Sequence, residues 1–341
     1  MTRERRPDAV VQRFLRTMHR LNLAGTRVAI AFSAGPDSCA LAICSAEARQ
    51  AIGLEPTLLH IDHNQRSDSD YEHERADAIA AELQLPIRHH ALDLQPGRSE
   101  DVLRRERYSA LARLMRESGC TVLMTGHHAD DQAETLLLNL VRGAGLTGAR
   151  AMREMRPLSL FDHECAQLVR PMLFERRADL AALVTDRGIK PVIDETNADL
   201  SYRRNLIRHQ VLPVLETVNK GAAIHLARFS QLLTEDADFL DHLAEEALTA
   251  VDHDGSGWAL PVKALASQPE PISRRMLRHW ILQATGIVPT FERTTALADL
   301  AMRGSGGACI ELGGGWSVSR CGGDLLLRAQ GELDGCNDED A

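Results

Sequence analysis

Between Arg27 and Arg142 the chain alternates four times between a short apolar run and a longer segment of helical periodicity, and this rhythm constrains the fold more than any other feature. The strand patterns are Arg27–Ser33, Pro56–Asp62, Pro86–Leu92 and Thr121–His127. They lead into helical patterns at Asp37–Gln50, Ser69–Leu83, Glu100–Ser118 and Asp130–Arg142. Runs such as Val28-Ala29-Ile30-Ala31-Phe32 and Val122-Leu123-Met124-Thr125 are continuously apolar, as expected of strands covered by helices on both faces. The expected fold is α/β, with a doubly wound parallel sheet. Ligands of such sheets bind at the carboxyl ends of the strands, and there the polar clusters Ser33–Ser38, Asp62–Arg66 and His127–Asp131 fall.

Beyond Gly143 the pattern turns irregular as far as Arg170, then helical at Arg176–Arg187 and Tyr202–Leu215. Leu226, Phe229, Leu233, Leu240, Leu243 and Ala247 form one apolar stripe on a long helix that is expected to pack in a core. Further helices at Ile272–Thr285 and Phe291–Met302 precede a meander of three strands, Ala308–Leu312, Trp316–Arg320 and Asp324–Arg328, whose turns are marked by Gly-Gly-Gly and Gly-Gly. The expected organisation is an α/β domain with a helical extension over 1–215, a small α+β domain over 216–331, and an acidic disordered tail over 332–341.

With 341 residues the chain has room for about two domains. No apolar run approaches the roughly 18 residues of a membrane span, and Met1–Arg6 leads into no apolar signal segment, so a cytoplasmic protein with no membrane partner is expected. The seven cysteines are scattered and never arranged as Cys-x-x-Cys, which speaks against a zinc ribbon or an iron–sulfur site. The net charge of -9 is unevenly placed: residues 225–341 hold 9 Arg and Lys against 18 Asp and Glu, whereas residues 1–224 are balanced. A local basic face can therefore still meet RNA, because steering follows where charges sit rather than their sum.

The strongest chemical signal is Ser33-Ala34-Gly35-Pro36-Asp37-Ser38, a small-residue turn between a strand and the helix it feeds. Such a turn aims backbone N–H groups, two hydroxyls and the positive end of a helix at one spot, which suits phosphate. It is not a Walker loop, since none of the three lysines (Lys190, Lys220, Lys263) follows a Gly-rich turn. A purely structural strand-to-helix turn is the alternative. A second signal, Gly126-His127-His128-Ala129-Asp130-Asp131-Gln132-Ala133-Glu134-Thr135, runs from a strand end into a helix. Its acidic groups are open to three readings: helix capping, a metal site, or a substrate pocket that binds Mg²⁺ or an amine.

The hexapeptide resembles the PP-loop Ser-Gly-Gly-x-Asp-Ser of the N-type ATP pyrophosphatases, with Ala34 in place of the first Gly. A methyl at that position hinders close backbone approach if φ must be positive. The second block, followed by Leu136–Arg142 and Gly143-Ala144-Gly145-Leu146-Thr147-Gly148, resembles one subgroup, the tRNA(Ile)-lysidine synthetases. So do Ile61-Asp62-His63, Arg104-Arg105-Glu106-Arg107-Tyr108, Asp194–Asp199 and Tyr202–Arg208, whereas Asn64-Gln65 stands where that family usually shows Gly-Leu.

The resemblance implies a Rossmann-like PP-loop fold and a ligase. Its substrates are then ATP with Mg²⁺, L-lysine and tRNA(Ile) with a CAU anticodon, and a homodimer is conceivable. By the same resemblance Ser33, Ala34, Gly35, Pro36, Asp37 and Ser38 hold the nucleotide, with Asp37 near the metal. Asp131 and Glu134 bind lysine, with His127 and Arg107 completing the pocket. Arg203, Arg204 and Arg208 share a short helix in a stretch, 142–208, that holds 12 Arg and Lys to 9 Asp and Glu, and are candidates for phosphate contacts. Two rivals remain: a tRNA thiolase, which commonly needs paired cysteines or a cluster, and a non-catalytic RNA-binding relative.

Overall fold

The computed structural model describes residues 9–62, 69–92, 100–158, 166–193, 199–251, 258–304 and 308–329. Two compact units divide the chain, one of residues 1–144 with 148–231, the other of 145–147 with 232–341.

The first unit is built on a six-stranded sheet of β1 (Arg27–Ala31), β2 (Glu55–Asp62), β3 (Ile87–Ala91), β4 (Val122–Met124), β5 (Met155–Pro157) and β6 (Gln167–Val169), in the order β3-β2-β1-β4-β6-β5. Every pairing is parallel except that of β5 with β6. The expected doubly wound parallel sheet is present, and the reason for its uninterrupted apolar runs is visible. Val28, Ile30, Leu58 and Met124 enter one core with Phe14, Met18, Leu41, Ile79 and Leu180. These come from α1 (Ala9–Arg20), α2 (Pro36–Ile52), α3 (Ser69–Glu82) and α7 (Arg177–Asp186). Their strand neighbours Ala29, Leu59 and Leu123 point the other way, into a second core with Leu111, Leu114 and Met115 of α4 (Glu100–Glu117).

Chain order reverses between β1 and β4, so the crevice at their carboxyl ends is the switch point where a ligand fits. The turn after β1 and the turn before α5 (Ala129–Val141) both open there.

Four features depart from the sequence reading. Residues 9–20 form a helix that periodicity did not single out, and the stretch read as irregular contains β5 and β6, which complete the sheet. The expected helix Tyr202–Leu215 is broken into α8 (Arg203–Leu206), a π-helical turn (Ile207–Val211) and α9 (Leu212–Val218); such turns are frequent at functional sites. On α10 (Ala222–Thr249) Phe229 is 50% exposed, and the buried positions are Ala223, Ala227, Ser230, Ala237, Ala244 and Leu248. Of the expected stripe, Leu226, Leu240, Leu243 and Ala247 pack half-buried against the cores.

The second unit packs α12 (Glu270–Thr285) and α13 (Phe291–Arg303) on an antiparallel sheet of β7 (Ala259–Pro261), β8 (Cys309–Gly313), β9 (Trp316–Cys321) and β10 (Asp324–Ala329). Leu260, Leu312, Val318, Leu325 and Leu327 face Met276, Leu277, Trp280 and Leu297. The three expected meander strands are present, joined by β7 at the edge of β10. The tail at 332–341 lies outside the described residues.

Candidate active site

The turn after β1 is held by its own side chains. Ser33, exposed at the tip, accepts from the Gly35 N–H at 3.4 Å. The buried Ser38 hydroxyl donates to the Gly35 carbonyl at 3.0 Å and accepts from the Ser33 N–H at 3.3 Å. Ala34 has φ +58, the left-handed conformation that a glycine adopts freely. Its methyl is fully buried among the core residues, turned away from the crevice, while its carbonyl accepts from Val192 N at 2.9 Å. The substitution therefore costs backbone strain without putting a methyl on the open side of the turn. Pro36 opens α2 with a fixed φ, and Asp37 stands in its first turn, where the helix dipole favours a carboxylate.

Gly126 brings the second motif against the first. A Cβ there would lie 2.8 Å from the Asp37 carbonyl oxygen and 2.9 Å from its carbon, so only glycine allows the β4–α5 turn to touch the start of α2. His128, wholly buried, fills the junction: its Nε2 lies 3.5 Å from Asp37 and 3.4 Å from Asp131, and its Nδ1 3.7 Å from Asp130. Burial opposes a charge on this ring, but the three carboxylates outweigh it and raise its pKa above the usual histidine value. Asp131 accepts from the His128 backbone N–H at 3.1 Å. Burial would push the Asp131 carboxyl up, yet His128 and Arg204 hold it below its ordinary value. Asp130 accepts from the Arg177 N–H at the start of α7. Asp130 thus serves the start of α7, whereas the carboxylate that caps α5 itself is Asp131.

His127 meets the Thr125 hydroxyl at 2.8 Å, and burial pushes its pKa down to about 4, so it is neutral at physiological pH. Asp131 and Glu134 are joined by Arg204 and Arg208. Arg204 donates Nε to Glu134 at 2.6 Å and Nη2 to Asp131 at 3.0 Å, and Arg208 does the same at 2.6 and 3.0 Å. The carboxylates expected to take an amine and the arginines expected to take phosphate thus meet one another. Arg107 sits in the second turn of α4 with an exposed side chain. Residues 63–65 and 194–198 lie outside the described residues. Asp199 caps the chain ahead of α8, accepting from Ser201 N at 2.9 Å.

Sequence reasoning left the task of His128 open and did not single out Gly126. A glycine immediately before the two histidines was the available signal. Cys39, five residues from Ala34, donates its thiol to the Ala34 carbonyl, and burial pushes its pKa up to about 12, which leaves no thiolate nucleophile in the turn.

A model of the PP-loop domain family matches residues 7–215, and one of the TilS substrate binding domain matches residues 260–333. A curated relative from Thermobifida fusca (strain YX), tRNA(Ile)-lysidine synthase, is 33% identical over 95% of this chain and 98% of its own length. The chain belongs to the tRNA(Ile)-lysidine synthase family.

Within that family lengths differ. The relative from Geobacter sulfurreducens is 34% identical over 82% of this chain, which spans 60% of its length. Among solved structures, the U34-tRNA thiolase NcsA from Methanococcus maripaludis, with its [4Fe-4S] cluster, superposes with a TM-score of 0.54 at 18% identity, over 66% of this chain and 77% of its own. That likeness concerns the fold alone. No helix among the described residues is long and apolar enough to cross a membrane.

Proposed function

We propose that this chain ligates L-lysine to C2 of the wobble cytidine of a CAU-anticodon tRNA(Ile), consuming ATP and releasing AMP and pyrophosphate. In this reading residues 1–215 carry the chemistry and residues 216–331 help to grip the tRNA. The observation that carries it is the junction at Gly126, where the phosphate turn and the acidic block touch in a chain of this family.

The flipped cytidine presents its C2 carbonyl oxygen to the α-phosphorus of ATP. The new P–O bond forms as the bond to pyrophosphate breaks, leaving an adenylated cytidine. The N–H groups of the turn, the start of α2, Ser33 and Ser38 meet the charge on the departing pyrophosphate. Asp37 suits Mg²⁺, a hard cation usually held by one or two carboxylates together with phosphate oxygens, because its side chain stays 35% exposed beside that turn. Bound there, the ion would neutralise pyrophosphate charge.

Lysine's ε-amine then adds at C2, and the C–O bond to AMP breaks. Free lysine has a pKa near 10.4, so its ammonium must first be bound and then lose a proton. Asp131 and Glu134 bind it, taking it in exchange for guanidinium nitrogens of Arg204 and Arg208, and Arg107 completes the pocket. A neutral His127 does not repel the ammonium and offers an imidazole nitrogen to the proton. Arg204 and Arg208, once exchanged, are placed to meet RNA phosphate.

The test incubates the protein with ATP·Mg²⁺, labelled lysine and CAU-anticodon tRNAs for isoleucine and methionine side by side. Lysine entering only the isoleucine tRNA, with one AMP released per lysine, is the expected result. Sulfur incorporation from a sulfur donor, or RNA binding without ATP turnover, overturns the proposal. Assembly as a homodimer in the cytoplasm belongs to the same reading, and a monomeric mass by light scattering removes the dimer.

A further inference from the structure

A second cluster of metal-ligating groups lies on the α3 face of the sheet, outside the lysine and phosphate sites. His73 and Asp77, one turn apart on α3, meet His89 of the edge strand β3, and one ligand atom from each lies within 4.8 Å of the others. His89 Nε2 donates to Asp77 Oδ1 at 2.7 Å, and His73 Nε2 is 3.7 Å from Asp77 Oδ2. The two rings pack at 3.8 Å between centroids. Behind them is the buried His60, which pairs with His89 across β2 and β3, its ring 5.4 Å from His89 and 6.2 Å from His73.

A carboxylate flanked by histidines is commonly a plain surface ion pair, but two observations go further. With Nε2 of His89 donating to Asp77, its Nδ1 is a buried lone pair with no hydrogen-bond partner among the described residues. The pair alone therefore does not satisfy this ring. His60 Nδ1 faces the Phe32 carbonyl at 2.9 Å and must donate to it. That leaves Nε2 as the lone-pair nitrogen of this ring. Two imidazoles thus flank one carboxylate, with a third ring behind them.

We propose that His73, Asp77 and His89, backed by His60, form a binding site for a divalent transition metal of the zinc class. Imidazole nitrogen with a single carboxylate suits Zn²⁺, Co²⁺ or Ni²⁺ and not Mg²⁺, which prefers oxygen. His60 links the site to Phe32, the residue before Ser33, so a bound metal ties α3 and β3 to the strand that delivers the phosphate turn. The proposal is independent of lysine ligation.

The test uses the full chain, stripped of metal and held in excess Mg²⁺ to occupy oxygen-only sites. Titration with Co²⁺ is expected to give one equivalent bound at micromolar or tighter affinity, with visible d–d bands and no thiolate charge-transfer band. Zn²⁺ is expected to displace the Co²⁺ and to raise the melting temperature, because only the folded state carries the site. His73→Gln and His89→Gln are each expected to weaken binding by more than about tenfold, as loss of a ligand or its support does. Asp77→Asn is a third variant that keeps side-chain volume, and circular dichroism of the metal-free variants checks that each is folded. Millimolar affinity, a thiolate band, or binding unchanged in folded variants overturns the site.

Discussion

Arg208 closes on Glu134 with Nε 2.6 Å from Oε1 and Nη2 3.1 Å from Oε2, and Glu134 has no solvent exposure at all. A buried carboxylate whose guanidinium is removed is left with an uncompensated charge. Arg204 still reaches Oε2 at 2.6 Å and softens the loss. Arg208→Ala is therefore expected to destabilise the first unit by about 3 kcal/mol, the low end for breaking a buried pair, measured by urea unfolding. Arg204→Ala, whose side chain is 41% exposed, is expected to cost less. Equal stability of Arg208→Ala and wild type contradicts the pairing.

Asp37→Ala is expected to abolish AMP formation while CAU-anticodon tRNA still binds. Its carboxylate stands at the start of α2 rather than in the arginine cluster, so the loss concerns nucleotide chemistry and not RNA. Thin-layer chromatography of labelled ATP together with a filter-binding assay separates the two, and full AMP release by the variant contradicts the role given to Asp37.

Gly126→Ala forces a methyl to within 2.9 Å of the Asp37 peptide. Because the obstacle is backbone, the two turns must part, and pyrophosphate release is expected to fall by at least about a hundredfold, the scale reported for misplacing a reacting group by roughly 1 Å. Activity within a few-fold of wild type, read by pyrophosphate release, would show that the close approach is not required.

Ala34→Gly removes the strain of φ +58 but frees the unfolded chain and deletes a buried methyl. Terms of about 1 kcal/mol oppose one another, so the melting temperature is expected to move little. ATP affinity is expected to stay within about twofold, since the methyl faces the core. Ala34→Val, β-branched at positive φ, is expected to lower the melting temperature clearly. Tighter ATP binding by Ala34→Gly, measured calorimetrically, would place the methyl in the cradle after all.

His127 provides a pH test. Its folded pKa of about 4 lies below the unfolded value near 6.5, so between these values the unfolded chain binds the extra proton. Stability is full above about pH 6.5 and is lost as pH falls towards 4. His128 runs oppositely: its raised pKa adds stability below the unfolded value, which fades as pH climbs through the folded one. His127→Gln is expected to flatten the acid-side loss between pH 6.5 and 4 in urea unfolding curves, and an unchanged slope contradicts the buried neutral imidazole.

The family and the position of the two motifs at strand ends were legible in the chain because their signals are local. Strand runs, helix periods and the Ser33–Ser38 turn each lie within a few residues, and burial on both faces of the sheet leaves its mark on single strands. The strands β5 and β6 were not legible, since neither sits in a continuous apolar run like the one that marks the equally short β4. Tertiary structure alone decided which groups the charged side chains meet. Arg204 and Arg208, read as phosphate contacts, pair here with Glu134, 70 and 74 residues earlier, an arrangement that burial of the carboxylate favours. Nor does the sequence record that Gly126 meets Asp37, or that His60, His73, Asp77 and His89 gather at one sheet edge. Distances across elements depend on the pairing of strands, and no local pattern encodes that pairing.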